Sequence, residues 1–280
     1  MVIVKLLGGL GNQMFQYAAG KALACKKNTS FYLNANAFIT NYKYRSYDLR
    51  HFNIHEKSIS LNEARVVHYL SKFNIAIKIY EEKSFTYQED FFNQKSKNIY
   101  FNGFFQSEKY FKNIEPILRE DFKLLTPLSS PSEKILAVIK NVNSVSIHIR
   151  RGDYVTNTGA NQLFGLCDLD YYKKAVRLIE SKIEAPHYFI FSDDIEWAKQ
   201  NIQVGNSKTD FIDFNDSSKN YEDMELMKNC KHNIIANSSF SWWGAWLNDN
   251  PNKIVIAPKK WFASQEMDSK DLIPLTWVQL

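Results

Sequence analysis

Residues Val2–Lys26 read VIVKLLGGLGNQMFQYAAGKALACK, and this stretch decides the fold. Val2–Leu7 is apolar, rich in β-branched residues and bounded by Gly8–Gly9, so it reads as a buried strand. From Asn12 to Lys26 alanine is frequent, and Met14, Tyr17, Ala18 and Leu23 are spaced as one helix face. Strand, glycine loop and helix in that order open an α/β unit. The loop Gly8-Gly9-Leu10-Gly11-Asn12-Gln13 misses both common phosphate fingerprints. The dinucleotide pattern needs a glycine where Met14 stands, and the P-loop needs a Gly-Lys-Ser/Thr that is not here. What remains is a tight loop that lets a ligand approach the backbone, followed by helix amides that favour anions. A plain turn is the competing reading.

Downstream, Ser30–Leu33 continues as a strand, and the tyrosine- and asparagine-rich stretch Asn34–Glu56 reads as loops. Helical periodicity returns at Leu61–Phe73, a strand at Asn98–Phe105, and short helices near Glu108–Lys112 and Ile114–Asp121. TPLSSPS, Thr126–Ser132, holds two prolines and three serines and is the linker candidate. Ser132 is the expected cap of a helix running through Ile139. Regular alternation follows. Strands are predicted at Val145–Ile149, Tyr188–Phe191, Phe211–Phe214, Asn233–Ala236 and Ile254–Ala257. Helices are predicted at Asp170–Lys182, Ile195–Asn201, Ser217–Cys230 and Ser239–Leu247. This pattern predicts parallel sheets with helices on both faces. The expected organisation is two α/β domains, 1–130 and 131–280, with the last residues packing back on the first.

Composition narrows the classes. The chain has 280 residues, 45% hydrophobic and 23% charged, which is ordinary for globular proteins and enough for a sizeable core. Aromatics reach 15%, which suits a thick core or platforms for sugar rings. A net charge of +5 suits an anionic substrate or the surface of an acidic membrane. There is no basic stripe with interleaved aromatics and no zinc-finger spacing, so nucleic acid is not the expected partner. Cys25, Cys167 and Cys230 are far apart and odd in number, which argues for a reducing compartment over a disulfide frame. The opening apolar run is short for a signal peptide, and no run of about 18 apolar residues occurs. The expectation is a cytoplasmic protein with at most peripheral membrane contact.

Ligands of open parallel sheets bind beyond the carboxyl ends of the strands, so the residues after each strand are the candidates. SIHIRRGDY, Ser146–Tyr154, is the first of these. Alternation places Val145, Ile147 and Ile149 on one face and Ser146, His148 and Arg150 on the other. Arg150 and Arg151 then stand at the strand end, where a guanidinium matches phosphate oxygens bidentately. Adjacent side chains diverge, so one of the two is expected to reach a ligand. Asp153 is their candidate ion-pair partner, and a purely structural Arg–Asp network is the alternative.

Ser192-Asp193-Asp194 comes after the next strand and could accept hydrogen bonds from a ribose or base edge, or cap the helix Ile195–Asn201. Asn237-Ser238-Ser239-Phe240 opens a helix directly after a strand and makes a neutral anion cradle. The paired Trp242 and Trp243 fit core packing better than sugar contact. Asp168-Leu169-Asp170 has the Asp-x-Asp spacing of metal-dependent sugar transferases, but it opens a helix, and N-capping explains it better.

GGLGNQMFQYA (Gly8–Ala18), HIRRGDY (His148–Tyr154), FSDD (Phe191–Asp194) and KHNIIANSSFSWWGAWLN (Lys231–Asn248), in this order, resemble the α-1,2-fucosyltransferases of glycosyltransferase family 11. The resemblance spans Gly8 to about Trp261 and is least specific between Asn34 and Asn98. It implies a GT-B-like fold, two Rossmann-like domains facing a cleft, with the donor in the C-terminal domain. It implies inverting transfer of L-fucose from GDP-β-L-fucose to the 2-hydroxyl of a galactose, without a metal or other cofactor.

Arg150 matches the arginine that such enzymes place on the β-phosphate. Asp193 or Asp194, with Ser192, would take the ribose or guanine. Ser238 and Ser239, with Asn237, His148 and Phe240, would line the phosphate side. Gly8, Gly9, Gly11 and Asn12 would close on the donor from the other domain. Asp153 is the first candidate for general base, with His148, Asp168 and Asp170 behind it. The expected acceptor is a galactose-terminated oligosaccharide or lipid-linked glycan. A transferase for another nucleotide sugar and a non-catalytic glycan-binding module are the alternatives.

Overall fold

The computed structural model describes residues 1–42, 45–73, 76–156, 158–264 and 267–280, with the side chains of 72, 153, 156 and 160 also outside the description. The chain divides into two compact units. Unit one is Met1–Thr126 with Lys270–Pro274, and unit two is Pro127–Ser269 with Leu275–Leu280.

Unit one begins with strand β1 (Val2–Lys5), helix α1 (Leu10–Lys27) and strand β2 (Phe31–Asn34). Helix α1 is buried along most of its length, as its alanines allow. It stops at Asn28, which is left-handed at φ 47°, and carries Lys26 and Lys27 where cations suit the dipole. There follow α2 (Ala37–Thr40), β3 (Lys57–Ser58), α3 (Leu61–Lys72), β4 (Lys78–Glu81), β5 (Ile99–Asn102) and α4 (Glu115–Asp121).

The five strands are all parallel, in the order β3-β2-β1-β5-β4. Helix α3 opens on a capping box between Ser60 and Glu63 and packs Ala64, Val67 and Leu70 on Ile3, Ile59 and Ile77. Much of the aromatic share goes into this unit's core, where Phe91, Phe101, Phe105 and Tyr110 meet ring to ring and are fully buried.

Unit two runs α5 (Ser130–Asn141), β6 (Asn143–Ile149), α6 (Gly152–Thr156), α7 (Thr158–Phe164), α8 (Leu169–Glu180), β7 (Pro186–Ser192), α9 (Ile195–Asn201) and β8 (Lys208–Ile212). It ends with α10 (Asn220–Asn229), β9 (His232–Ile234), α11 (Ser239–Leu247), β10 (Val255–Ala257) and β11 (Val278–Gln279). The strand order is β11-β10-β9-β6-β7-β8, again all parallel. Renumbered from β6, this is the 3-2-1-4-5-6 order of the dinucleotide-binding fold. The alternation along β6 is as expected. Val145, Ile147 and Ile149 pack with α8 and α9, while α5 and α10 cover Phe189, Phe191 and Ile212 on the other face.

Several boundaries differ from the sequence reading. Helix α5 starts at Ser130, with Ser129 and not Ser132 at the cap position. A proline in the first turn costs nothing because its missing N–H has no intrahelical use. Ser129 is fixed instead by donating its N–H and hydroxyl to Glu222. Strand β8 begins at Lys208, before the apolar run Phe211–Phe214 that signalled it. Edge strands tolerate polar residues, so the apolar pattern marked only the end of this one. The short β3, β4 and β11, edge strands all, were not anticipated for the same reason. Among the described residues, no helix is long and apolar enough to cross a membrane.

Candidate functional site

Open α/β sheets bind ligands where the strand order reverses, and in unit two that is between β6 and β9. Arg150 and Arg151 follow β6 directly. Arg150 Nη1 donates to Asp193 Oδ2 at 2.9 Å, and its guanidinium lies 5.4 Å from the centre of the Tyr154 ring. Arg151 donates its backbone N–H to Asp193 Oδ1 at 2.8 Å and its Nε to Asp194 Oδ2 at 3.1 Å. Its guanidinium also stacks 3.8 Å over Trp197.

Among the described residues, Asp193 and Asp194 are thus carboxylate partners of the two arginines. The side chain of Asp153 lies outside the described residues. Asp194 also caps α9, accepting from the Trp197 N–H, and Ser192 Oγ accepts from the Asp194 N–H. Within the triplet Ser192-Asp193-Asp194, Asp194 is the helix cap, and both carboxylates face the arginines at the strand end. Gly152 makes this arrangement possible, since a Cβ there would fall 2.5 Å from Asp193 Oδ2.

On the β9 side, Ser238 sits at the N-cap of α11 and accepts from the Phe240 N–H. Ser239, Phe240 and the amides of this first turn stand at the strand end. Asn237 is buried and acts as a clamp. Its Nδ2 donates to the carbonyls of Phe164, Gly165 and Trp261, and its Oδ1 accepts from Cys167. Its carboxamide thus holds the surrounding loops in place.

His148 is also buried. Its Nδ1 is 2.9 Å from Ser241 Oγ, and Phe240 packs on its ring. Burial, with the charge of Arg150 adding to it, pushes the His148 imidazole down to about 3. It is therefore a neutral buttress at pH 7 and unfit as a general base. Trp242 and Trp243 are fully buried, as core packing predicts.

Helix α8 supplies residues that the sequence reading missed. Tyr171 Oη donates to the carbonyls of Ile235 and Ile256, and Tyr172 Oη to that of His148. Two adjacent tyrosines thereby tie down the carboxyl ends around the switch point. Their signal was the doublet itself, at the start of an amphipathic helix. Asp168 caps this helix by accepting from the Tyr171 N–H at 2.8 Å, while the exposed Asp170 pairs with Lys174. Capping accounts for the Asp-x-Asp spacing. Among the described residues, no group of three His, Cys, Asp or Glu side chains could hold a metal ion.

The second missed feature is Asp223, at the start of α10. Its carboxylate accepts from Asn215 Nδ2 at 2.7 Å, and burial pushes it up to about 7. Nothing in the local sequence marks it.

In unit one the order reverses between β1 and β5, and the glycine loop lies there. Gly8 has φ +79°, which a side chain would strain, and Asn12 packs against its Cα. The N–H of Gly8 donates to Tyr42 Oη. Gly9 stands at the N-cap of α1 and Gly11 is buried in its first turn. Gln13 and Gln16, both fully buried, lace the loop to its surroundings. Gln13 bonds Gly8, Ser46 and Asp48, and Gln16 bonds Leu7 and Gly103. These bonds fix the backbone of the loop from beneath.

Two doubly wound parallel units, one with an arginine and a serine-capped helix at its switch point, define an α/β protein equipped to hold an anionic nucleotide. The chain belongs to glycosyl transferase family 11, whose sequence profile matches residues 1–280. It is 36% identical to an alpha-1,2-colitosyltransferase of Escherichia coli, over 100% of this chain and 99% of that one. It is 32% identical to the O-antigen biosynthesis glycosyltransferase WbnK of Escherichia coli, over 98% and 99%. Its structure resembles that of NodZ alpha-1,6-fucosyltransferase soaked with GDP-fucose, with a TM-score of 0.52 and 12% identity over 87% of this chain and 91% of that one. That likeness shows the fold, a GT-B-like pair of α/β units.

Proposed function

We propose that the protein is an inverting galactoside α-1,2-fucosyltransferase that uses GDP-β-L-fucose and needs no metal. The observation that carries this reading is Arg150, held by Asp193 at the carboxyl end of β6, beside the serine-capped start of α11. A fixed cation and helix amides at a leaving diphosphate do what a metal ion does elsewhere, stabilising charge as it develops. In the reaction, the acceptor 2-hydroxyl oxygen attacks the anomeric carbon as the bond to GDP breaks. GDP departs with the bonding electrons, the configuration inverts from β to α, and the hydroxyl proton passes to a base. Asp153, next to Gly152 in α6, is the proposed base. The loops between Asn34 and Asn98 are proposed to select the acceptor.

The α-1,2 linkage is supported by the family and by the name of the 36% identical relative. That same name favours a second donor, colitose. Transfer assays with GDP-fucose, GDP-colitose, GDP-mannose and UDP-sugars on galactosides separate the two. GDP is expected to raise the Tm, and EDTA is expected to leave turnover intact. Activity abolished by EDTA and restored by Mn²⁺ would refute the metal-free mechanism, and a preference for GDP-colitose would replace fucose as the donor.

A further inference from the structure

The switch point of unit one contains a carboxylate that none of the roles above uses. Glu82 follows β4, and its oxygens accept the backbone N–H groups of Phe104 at 2.6 Å and Phe105 at 2.9 Å, just beyond β5. Phe105 has φ +54°, a conformation that is strained for a bulky residue and persists only where its surroundings enforce it. Here the two enforcing groups are visible. The carboxylate grips the amide, and the ring is locked among Tyr80, Phe91, Phe101 and Tyr110. A methyl group at Gly103 would fall 2.4 Å from Cβ of Glu82, so the close approach depends on that glycine. The next residue, Gln106, is buried and donates from Nε2 to Asn12 Oδ1 at 2.8 Å, and Asn12 packs on Gly8.

We propose that Glu82 is a positioning residue for sugar-nucleotide transfer, clamping Phe104-Phe105 so that Gln106 holds Asn12 and the loop Gly8–Asn12 in working geometry. The inference rests on the functional reading above and on the place of this loop in the family motif Gly8–Ala18. The clamp depends on charge, because an ionised carboxylate accepts both amides more strongly than a protonated one. Burial pushes Glu82 up to about 6, with the two amides pulling it back. The neighbouring elements bring Tyr80, bonded to Asp90, and Tyr110, both phenols being held well above their usual range. They also bring the Lys109–Asp271 pair, whose carboxylate sits below its usual range. None of these shifted groups changes charge near pH 6. The raised value also means that the folded unit accepts an uncharged group at this position, so Glu82→Gln is expected to fold.

The test uses the full chain, GDP-fucose and a galactoside acceptor across pH 5 to 8 (the assay range, roughly one unit or more either side of the transition). Glu82→Gln is expected to lower kcat/KM for the donor about tenfold, as loss of alignment does. It is also expected to remove an acid limb that is predicted for wild type near pH 6. Gln106→Ala is expected to cost about the same, and the double variant no more than either single one, because both act along one path. An active wild type whose Glu82→Gln variant keeps the same donor kinetics and the same acid limb overturns the inference alone, as do additive losses in the double variant. A wild type that neither binds GDP nor transfers fucose overturns the functional reading and this inference with it.

Discussion

Two adjacent arginines that look equivalent in sequence have different work. Arg151 is stacked on Trp197 and bonded to Asp194, so it braces α9 against the strand end. Arg150 has a quarter of its side chain exposed and pairs with Asp193. Arg150→Lys is therefore expected to lower kcat about 10²- to 10³-fold without loss of fold, because an ammonium cannot reproduce the bidentate contact proposed with the leaving diphosphate. Near-normal turnover in steady-state assays would remove Arg150 from the phosphate. Gly152→Ala is expected to act through its neighbour by pushing Asp193 off Arg150. Reduced kcat with an unchanged Tm is the expected signature, and an unaffected kcat would show that Asp193 does not aim the arginine. The diverging arginines were legible in HIRRGDY, but Asp193 and Asp194 as their partners were not. Those carboxylates follow β7, and the sequence cannot show that β7 lies beside β6 in the sheet.

At the scale of elements, strand β6 leads into the site, and its alternation sends Val145, Ile147 and Ile149 into one core while Ser146 and His148 make buried hydrogen bonds on the other face. The edge strands β3, β4 and β11 escaped sequence reading because a short, half-solvated strand needs no apolar pattern. Helix α8 separates two explanations of Asp168-Leu169-Asp170. If capping is its whole role, Asp168→Ala costs about 1 kcal/mol of stability. Asp170→Ala, at an exposed ion pair with Lys174, then leaves stability nearly unchanged. Denaturant titrations of the two variants test this. Equal losses of activity in both, with stability intact, would return the pair to a catalytic role.

For the whole molecule, the pH dependence of stability reports on burial. The Asp223 carboxyl is pushed up from 3.8 to about 7, so folding favours its protonated form. Its contribution is full below about 4, is lost progressively as pH rises through about 7, and is constant above that. Asp223→Asn keeps an acceptor for Asn215 and removes the charge. Its Tm is expected to match wild type at pH 4 and to exceed it by a growing margin up to about pH 7. A margin that does not change with pH would show that Asp223 is not forced to ionise in a buried place. Neither this carboxyl nor Glu82 could be picked out from the sequence, because a raised pKa depends on what surrounds a group in space.

The sequence by itself determined the parallel α/β class, the glycine loop, the strand that leads into Arg150 and the family. All of these rest on local signals, namely period, β-branched runs, caps and contiguous motifs. The tertiary structure decided which residues meet. It set Asp193 against Arg150, Tyr171 and Tyr172 on the ends of distant strands, Asn237 on two segments at Phe164–Cys167 and Trp261, and Glu82 on the segment that holds the glycine loop through Gln106. Strand order makes these pairings, and strand order arises from how the hydrophobic faces bury one another, which no short stretch of chain records.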